Sequence, residues 1–307
     1  MRLGLGLAVK DEERAVGRCL SEIADLFEHI TIVDTGSSDR TRSVLIESFG
    51  ITPKSLPASV EDDHRVIEGK NMALRENSAP WVLMLDADEC ISRDFVLRLV
   101  EFTPPDTCDG LFMKWVNVRD SATFEDYKLF VVRNDPRFRF IDPIHSNLQL
   151  SIRAAGGSAL WFEDAHVVHL QEKSKADRRA EYPERCAREI AREPDNYRAW
   201  WFRGYHFLQA NQVDDAMACF VVAARSKSRD FAVECLNSLV VLSEVYARKG
   251  EAKKCIDTLF EAQDFYQTVQ TDFEVQINYR LKPWLDNALL MASQGNFDSV
   301  RAYRFAC

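Results

Sequence analysis

The sequence predicts an α/β domain with a mostly parallel, doubly wound sheet over residues 1–171, followed by an all-α helical-repeat domain over residues 172–307. Three observations predict it. Short apolar runs empty into carboxylates and small polar residues at several points of the first half. Amphipathic helical periods separate those runs, the alternation that a parallel sheet requires. Beyond Lys173 the strand signals stop and long helical periods replace them.

The first strand is the apolar run from Leu3 to Val9, which ends in Lys10-Asp11-Glu12-Glu13. Gly4 and Gly6 lie inside it, and no phosphate-loop pattern follows, so they are not a dinucleotide fingerprint. Val16, Cys19, Leu20, Ile23 and Leu26 fall at helical spacing and predict one amphipathic helix. Ile30 to Val33 is a second strand emptying into Asp34-Thr35-Gly36-Ser37-Ser38-Asp39, with a helix over Arg40 to Phe49. Trp81 to Leu85 is a buried strand that runs straight into Asp86-Ala87-Asp88. Ligands of such sheets bind outside the carboxyl ends of the strands, so Val9 to Glu12, Asp34 to Ser37 and Asp86 to Asp88 should line one crevice. Two carboxylates one residue apart repel each other, and burying them unpaired is costly. Their hard oxygens suit Mg²⁺ or Mn²⁺ that also touches phosphate. For Asp34 the plainer role is a helix N-cap or an Asx turn. Phe138-Arg139-Phe140 is expected as a further strand leading to His145.

Val9 to Glu13, Val33 to Thr41, Lys70-Asn71-Met72-Ala73-Leu74, Trp81 to Glu89, Arg133 to Phe140, Ile144-His145 and His166 to His169 resemble, in order and spacing, family 2 glycosyltransferases of the GT-A fold. The last stretch is similar to the branch that carries tetratricopeptide-type helices behind the transferase domain. The resemblance implies a nucleotide-sugar donor, UDP-linked, and a divalent cation, Mg²⁺ or Mn²⁺. It implies that Asp88 holds the metal, with Asp86 beside it on metal or ribose, and that Ala87 lies between them at the donor. Asp34 would take the nucleobase or ribose, and main chain around Val9, with Glu12 close by, would wall the base. Lys70-Asn71 stands where relatives carry Arg-Asn, and Lys still meets phosphate as a point charge. His169 occupies the place of a histidine that completes the metal sphere, whereas His166 is expected to be structural. Inversion at the anomeric carbon is expected from the family.

The chain departs from its relatives after His145. The expected carboxylate, a natural general base for the acceptor hydroxyl, is Ser146, which cannot serve at neutral pH. His145 takes the role, or Asp142, Glu163 or Asp164 does, or the acceptor is already nucleophilic. Loss of turnover is the remaining alternative: a nucleotide-binding protein that acts through its repeats.

Composition bounds the rest. With 307 residues there is length for two cores, and no apolar run is long enough to span a bilayer. Met1-Arg2 leads directly into the first strand, so neither leader nor anchor is expected and a cytoplasmic enzyme is anticipated. Eight cysteines show no CxxC spacing and read as buried small hydrophobes. The formal charge of −9 disfavours broad binding to nucleic acid, which places a transferase acting on hydroxymethylated bases of phage-type DNA behind a saccharide or peptide acceptor. The basic run Lys173 to Arg192 also holds acidic residues at helical spacing and is expected as a solvated helix face.

In the second half Trp200, Gly204, Phe207, Asn211, Ala216, Phe220 and Ala223 fall on the offsets of one tetratricopeptide unit. Leu239, Ser243, Tyr246, Gly250, Cys255, Leu259 and Ala262 repeat them, and Trp284, Ala288, Met291 and Gly295 begin a third unit cut short at Cys307. The spacing exceeds the usual ~34 residues, so the units are degenerate. Pro183 and Pro194-Asp195-Asn196 mark helix starts or turns. A short solenoid of this kind could hold the acceptor or pair two protomers as a homodimer.

Overall fold

The computed structural model describes residues 1–119, 122–146, 148–170, 181–278 and 281–300. They divide into two compact units, one within Met1–Lys175 and one within Ala176–Phe305. The expected boundary at 171/172 lies outside the described residues.

The first unit runs β1 (Leu3–Val9), α1 (Val16–Leu20), β2 (Ile30–Asp34), α2 (Thr41–Phe49), β3 (Lys54–Ser55), α3 (Arg65–Arg75), β4 (Trp81–Leu85), β5 (Glu89–Cys90), α4 (Arg93–Glu101), β6 (Cys108–Arg119), β7 (Ala122–Arg133), α5 (Gln149–Ala154) and β8 (Ser158–Leu170). The strand order is β3-β2-β1-β4-β7-β6-β8-β5. β1, β2, β3 and β4 pair in parallel, as do β6 and β8, while β7 joins β4 and β6 antiparallel and β5 joins β8 antiparallel. β1 and β4 are central, and their near-continuous apolar runs are buried throughout or nearly so, as parallel strands covered on both faces require.

One connection shapes the site. Four strand spacings separate β4 from β5, roughly 19 Å in a flat sheet. The four steps from Leu85 to Glu89 reach about 14 Å at most. The β7-β6-β8 half must therefore curl over the carboxyl end of β4, and it brings its inward face against residues 86–89. Glu89 pairs with His169 at the far edge.

Two elements differ from expectation. The helix after β1 stops at Leu20, because the chain tightens there to i→i−3 bonds (Ile23 N–H to Leu20 O, then Leu26 N–H to Ile23 O). Val16, Cys19, Leu20 and Ile23 are still buried. Phe138 to Phe140 is not a strand: the Phe138 N–H turns back to the Asp135 carbonyl (2.9 Å), Arg139 N–H donates to Ser151 Oγ and Phe140 is held by Asn71, while both phenyl rings are buried.

The second unit is helical: α6 (Tyr182–Arg192), α7 (Tyr197–Gln209), α8 (Val213–Ala223), α9 (Ala232–Arg248), α10 (Ala252–Val269), α11 (Phe273–Ile277) and α12 (Leu281–Ser293). Pro183 stands in the first turn of α6, and Asn196 caps α7 by accepting the N–H of Ala199 at 3.1 Å. Asn211, Gly250 and Gly295, which share one repeat offset, all turn with left-handed backbone (φ 60, 72 and 74). Asparagine and glycine are the residues that tolerate that conformation. Gly204 lets α7 meet α8: a Cβ there would lie 2.7 Å from the Phe220 ring. Of the basic run, the first part lies outside the described residues, and the rest lies in α6, which buries Cys186, Glu189 and Ile190 and exposes Glu184, Arg188 and Arg192 on the solvated face. The third unit is described as far as Val300, and Cys307 lies outside. The seven described cysteines are thiols, six of them buried. Among the described residues no helix is long and apolar enough to cross a membrane.

Candidate active site

The carboxyl ends of β1 and β2 are locked into one wall. Val9 pairs with Asp34, and the Val9 carbonyl accepts both the N–H and the hydroxyl of Thr35 (2.9 and 3.1 Å). The following loops then interlock. Asp11 N–H donates to Ser37 Oγ (3.0 Å) and its carboxylate accepts Ser38 N–H (2.7 Å); Glu12 N–H donates to Thr41 Oγ1 (2.7 Å), and Glu13 N–H to Asp39 (3.0 Å). The Glu12 carbonyl starts α1 by accepting from Ala15 and Val16.

Asp34 is 5% exposed and makes the Asx turn considered from the sequence: Oδ1 accepts the N–H groups of Gly36 (3.2 Å) and Ser37 (2.8 Å). Its Oδ2 faces Arg42 at 2.9 Å. Burial pushes its pKa up, but the Arg42 guanidinium and the Ser37 and Gly36 donors outweigh it, leaving the carboxyl below its ordinary range. A carboxyl depressed in the fold contributes stability that is complete above its ordinary range and is lost as pH falls through the depressed value. Asp34→Asn should therefore lose less stability than the parent between about pH 5 and pH 3 in urea melts; parallel losses would show that Asp34 is not held this way.

At the exit of β4 the structure assembles a charge cluster. Lys70, from α3, meets Asp86 Oδ1 at 2.7 Å, and Lys128, from β7, meets Asp86 Oδ2 at 2.9 Å and Glu89 Oε1 at 2.7 Å. The other Glu89 oxygen accepts Asp86 N–H at 2.8 Å, and Glu89 is 0% exposed. Burial works to raise Asp86, but Lys128 and Lys70 overrule it and hold Asp86 well below the ordinary carboxylate range. Glu89 goes up, since burial exceeds the pull of Lys128 and Asp86 adds repulsion. Lys128 is shifted up despite burial, because two carboxylates face it. Asp86, expected on metal or ribose, thus has both oxygens turned to ammonium groups. Ala87 is buried between the two aspartates.

Asp88, 5% exposed, meets His169 instead: Oδ2 lies 3.0 Å from Nε2. His169 Nδ1 faces Asn117 Oδ1 at 2.7 Å, while the Asn117 amide nitrogen donates to Trp115 O at 3.4 Å. That orients the amide to accept from Nδ1–H and turns Nε2 toward the Asp88 carboxylate. A carboxylate oxygen and an imidazole nitrogen at that distance hold a proton or a cation between them. The Trp115 indole stacks on the imidazole (centroids 4.9 Å, 15°), and the Lys128 ammonium sits 5.4 Å over the same indole. Among the described residues no group of three or more His, Cys, Asp or Glu side chains could hold a metal ion. Of the three expected ligands, Asp88 and His169 are brought together and Asp86 is drawn aside by lysine.

Asn71 does not face the crevice in this arrangement. Its amide clamps Phe140 main chain, donating to the carbonyl (3.0 Å) and accepting the N–H (2.7 Å), so it fixes the loop toward His145 beside Lys70, whose ammonium is 5.5 Å from the Phe140 ring. Asn71→Ala should cost about 2–3 kcal/mol, two hydrogen bonds whose partners are left half-buried; an unchanged urea midpoint would contradict the clamp. His145 is exposed with φ 52, and Asp142 bonds the N–H of Ile144 (2.8 Å). Asp164 is five residues up β8 from His169, roughly 16 Å along the strand, with its carbonyl on Arg98 of α4. Glu163 is one residue farther, so neither belongs to this cluster. His166 packs edge-on against Phe95 (4.6 Å), a structural position.

Sequence reasoning missed Lys128, Glu89, Asn117, Trp115 and Arg42. Lys128 carried a signal: it is the one charge at the head of the apolar run Leu129 to Val132. A lysine there is expensive unless a carboxylate awaits it.

Residues 6–163 match the family model described as glycosyl transferase family 2. A TPR repeat-containing protein of Synechococcus elongatus is 33% identical over 155 residues, which are 50% of this chain and 37% of that protein. The chain thus spans little more than a third of the curated relative it matches. Among solved structures, residues 1–349 of S. aureus TarS superpose with a TM-score of 0.50 at 14% identity, over 100% of this chain and 94% of that one. The same TarS fragment in complex with UDP-GlcNAc gives 0.50 at 15% identity, over 97% and 89%. At these identities the likeness to TarS is one of fold.

Proposed function

The chain belongs to glycosyl transferase family 2, and from that premise we propose that it moves a sugar from a UDP-linked donor to an acceptor hydroxyl of a saccharide or peptide side chain, with inversion and with a divalent cation. The observation that carries the reading is the convergence at one crevice of the β1 and β2 loops with the Asp86 to Glu89 turn. At that turn the Lys70 and Lys128 ammonium groups face Asp86 and Glu89, and Asp88 faces His169. A diphosphate entering beside these three carboxylates is favoured by a cation that comes with it.

Asp88 and His169 fit such a cation, since their acceptors already converge and Asn117 fixes the imidazole. Mg²⁺ or Mn²⁺ held there would neutralise charge on the departing diphosphate. The protein's own groups do the remaining work. Lys70 stands at the crevice as a point charge for phosphate, shared with Asp86. The interlocked wall at Val9 and Glu12 offers main chain to the base, and Asp34 offers a carboxylate once Arg42 yields it. The UDP-GlcNAc complex of the TarS neighbour supports the donor class by fold alone.

Thermal melting with UDP, GDP and UDP-GlcNAc, each with and without Mn²⁺, tests the reading. A ligand at 100 times its Kd stabilises by about 2.7 kcal/mol, so UDP with Mn²⁺ should raise Tm by several degrees. Absence of any shift with UDP and Mn²⁺ would overturn the donor assignment. A shift without UDP release from UDP-GlcNAc would favour the binding-only alternative.

A further inference from the structure

β7 leaves β4 well before the β6–β7 ribbon ends. β7 pairs with β4 only from Val131 onward, whereas its pairing with β6 runs on to the turn near Arg119 and Ala122, and β6 stays paired with β8 as far as Val118. Strand alternation and register sort the residues of this stretch into two faces. Met113, Trp115 and Asn117 share a face with Lys128, Asp126 and Phe124, since Met113 pairs with Lys128, Trp115 with Asp126 and Asn117 with Phe124. Contacts on both sides confirm it. Asn117 and Trp115 touch His169, and Lys128 reaches Asp86 and Glu89. On the reverse face Tyr127 packs on Trp161 (4.2 Å) and Lys114 pairs with Glu125 (3.2 Å).

The inward face therefore continues the site outward. Asp126 stands roughly 7 Å beyond Lys128 along β7, opposite Trp115. Phe124 is opposite Asn117, in the row that leads to His169, and is 43% exposed. One oxygen of Asp126 accepts the Tyr127 N–H at 2.7 Å. An aromatic ring and a carboxylate on one face suit a pyranose, which has an apolar ring face and hydroxyls that donate.

Resting on the transferase reading above, we propose that Phe124 and Asp126 form the acceptor subsite, that the acceptor is a saccharide, and that Asp126 takes the proton which the residue after His145, here Ser146, cannot. The acceptor ring lies on Phe124. The reacting hydroxyl donates to Asp126. Its oxygen bonds to the anomeric carbon, the bond from that carbon to the diphosphate oxygen breaks with its electron pair going to the diphosphate, and the proton passes to the Asp126 carboxylate.

The test compares the parent with Phe124→Ala and Asp126→Asn, using methyl N-acetyl-β-D-glucosaminide as the acceptor probe. Probe binding to protein loaded with UDP and Mn²⁺ is followed by saturation-transfer NMR, and transfer by UDP release from UDP-GlcNAc with the probe present. The Tm shift with UDP should be the same in all three proteins. Phe124→Ala should bind the probe at least ~10-fold more weakly. Asp126→Asn should transfer about 10²-fold more slowly or worse, at unchanged donor KM, and lose the acidic limb of the pH profile. Probe binding and transfer unaltered by both substitutions, or no probe binding to a parent that responds fully to UDP, would overturn the subsite. A missing UDP shift in the parent would instead count against the donor reading, while the effect of Phe124→Ala on probe binding would still judge the subsite.

Discussion

Asp88→Asn should lower UDP-GlcNAc turnover about 10²–10³-fold, the loss typical when one preorganised group facing developing charge is removed. The substitution separates chemistry from folding. Asparagine has the shape of aspartate, and its amide can donate to His169 Nε2, so the contact at 3.0 Å survives as an ordinary hydrogen bond. The main-chain bond from Leu170 N–H to the residue 88 carbonyl is untouched. What disappears is the anionic partner that a cation requires. Urea unfolding should therefore shift by no more than about 1 kcal/mol, while the additional Tm shift that Mn²⁺ gives in the presence of UDP should vanish. Full turnover in the Asp88→Asn protein would refute the role given to this carboxylate.

Lys128→Met carries the largest expected effect on stability, about 3–5 kcal/mol, the usual consequence of removing one partner of a buried ion pair. Glu89 has no exposure at all, and Lys128 meets both it and Asp86. Methionine preserves length and fills the space over the Trp115 and Phe130 rings, so the loss is electrostatic and not a cavity. The pH dependence has a definite sign. Glu89 already lies above the ordinary carboxylate range in the fold, and without Lys128 it must rise further. A carboxyl raised in the fold favours the native state at low pH and loses that contribution as pH rises. The deficit of Lys128→Met should thus be greater at pH 7 than at about pH 5, and Glu89→Gln added to it should recover part of the loss. An unfolding midpoint equal to the parent's at pH 7 would show that the cluster is solvated.

Several parts of the site could be read in advance because they rest on short-range rules. The five apolar residues of β4 followed at once by Asp86 announced a buried strand with acidic residues at its exit, and all five are buried. The left-handed turns at Asn211, Gly250 and Gly295 follow from residue type at a repeated offset. Other parts failed because neighbours far along the chain overruled a local pattern. Phe138 and Phe140 alternate as a strand should, yet the hydrogen bonds of this stretch go to Asp135, Ser151 and Asn71, so no ladder forms. The helix after β1 has the right periodicity beyond Leu20, but the main chain tightens before the period is complete.

The amino-acid sequence by itself determined the order of elements, the three carboxylate-bearing strand exits and the repeat offsets, because apolar period, turn chemistry and capping act over a few residues. Only the tertiary structure decided that Asp86 is neutralised by Lys128, 42 residues away, while Asp88 meets His169, 81 residues away. The reason is register. A slip of one residue in the β6–β7 ribbon would turn Lys128, Trp115 and Asn117 to the opposite face, and nothing local to those residues states which face the crevice will occupy.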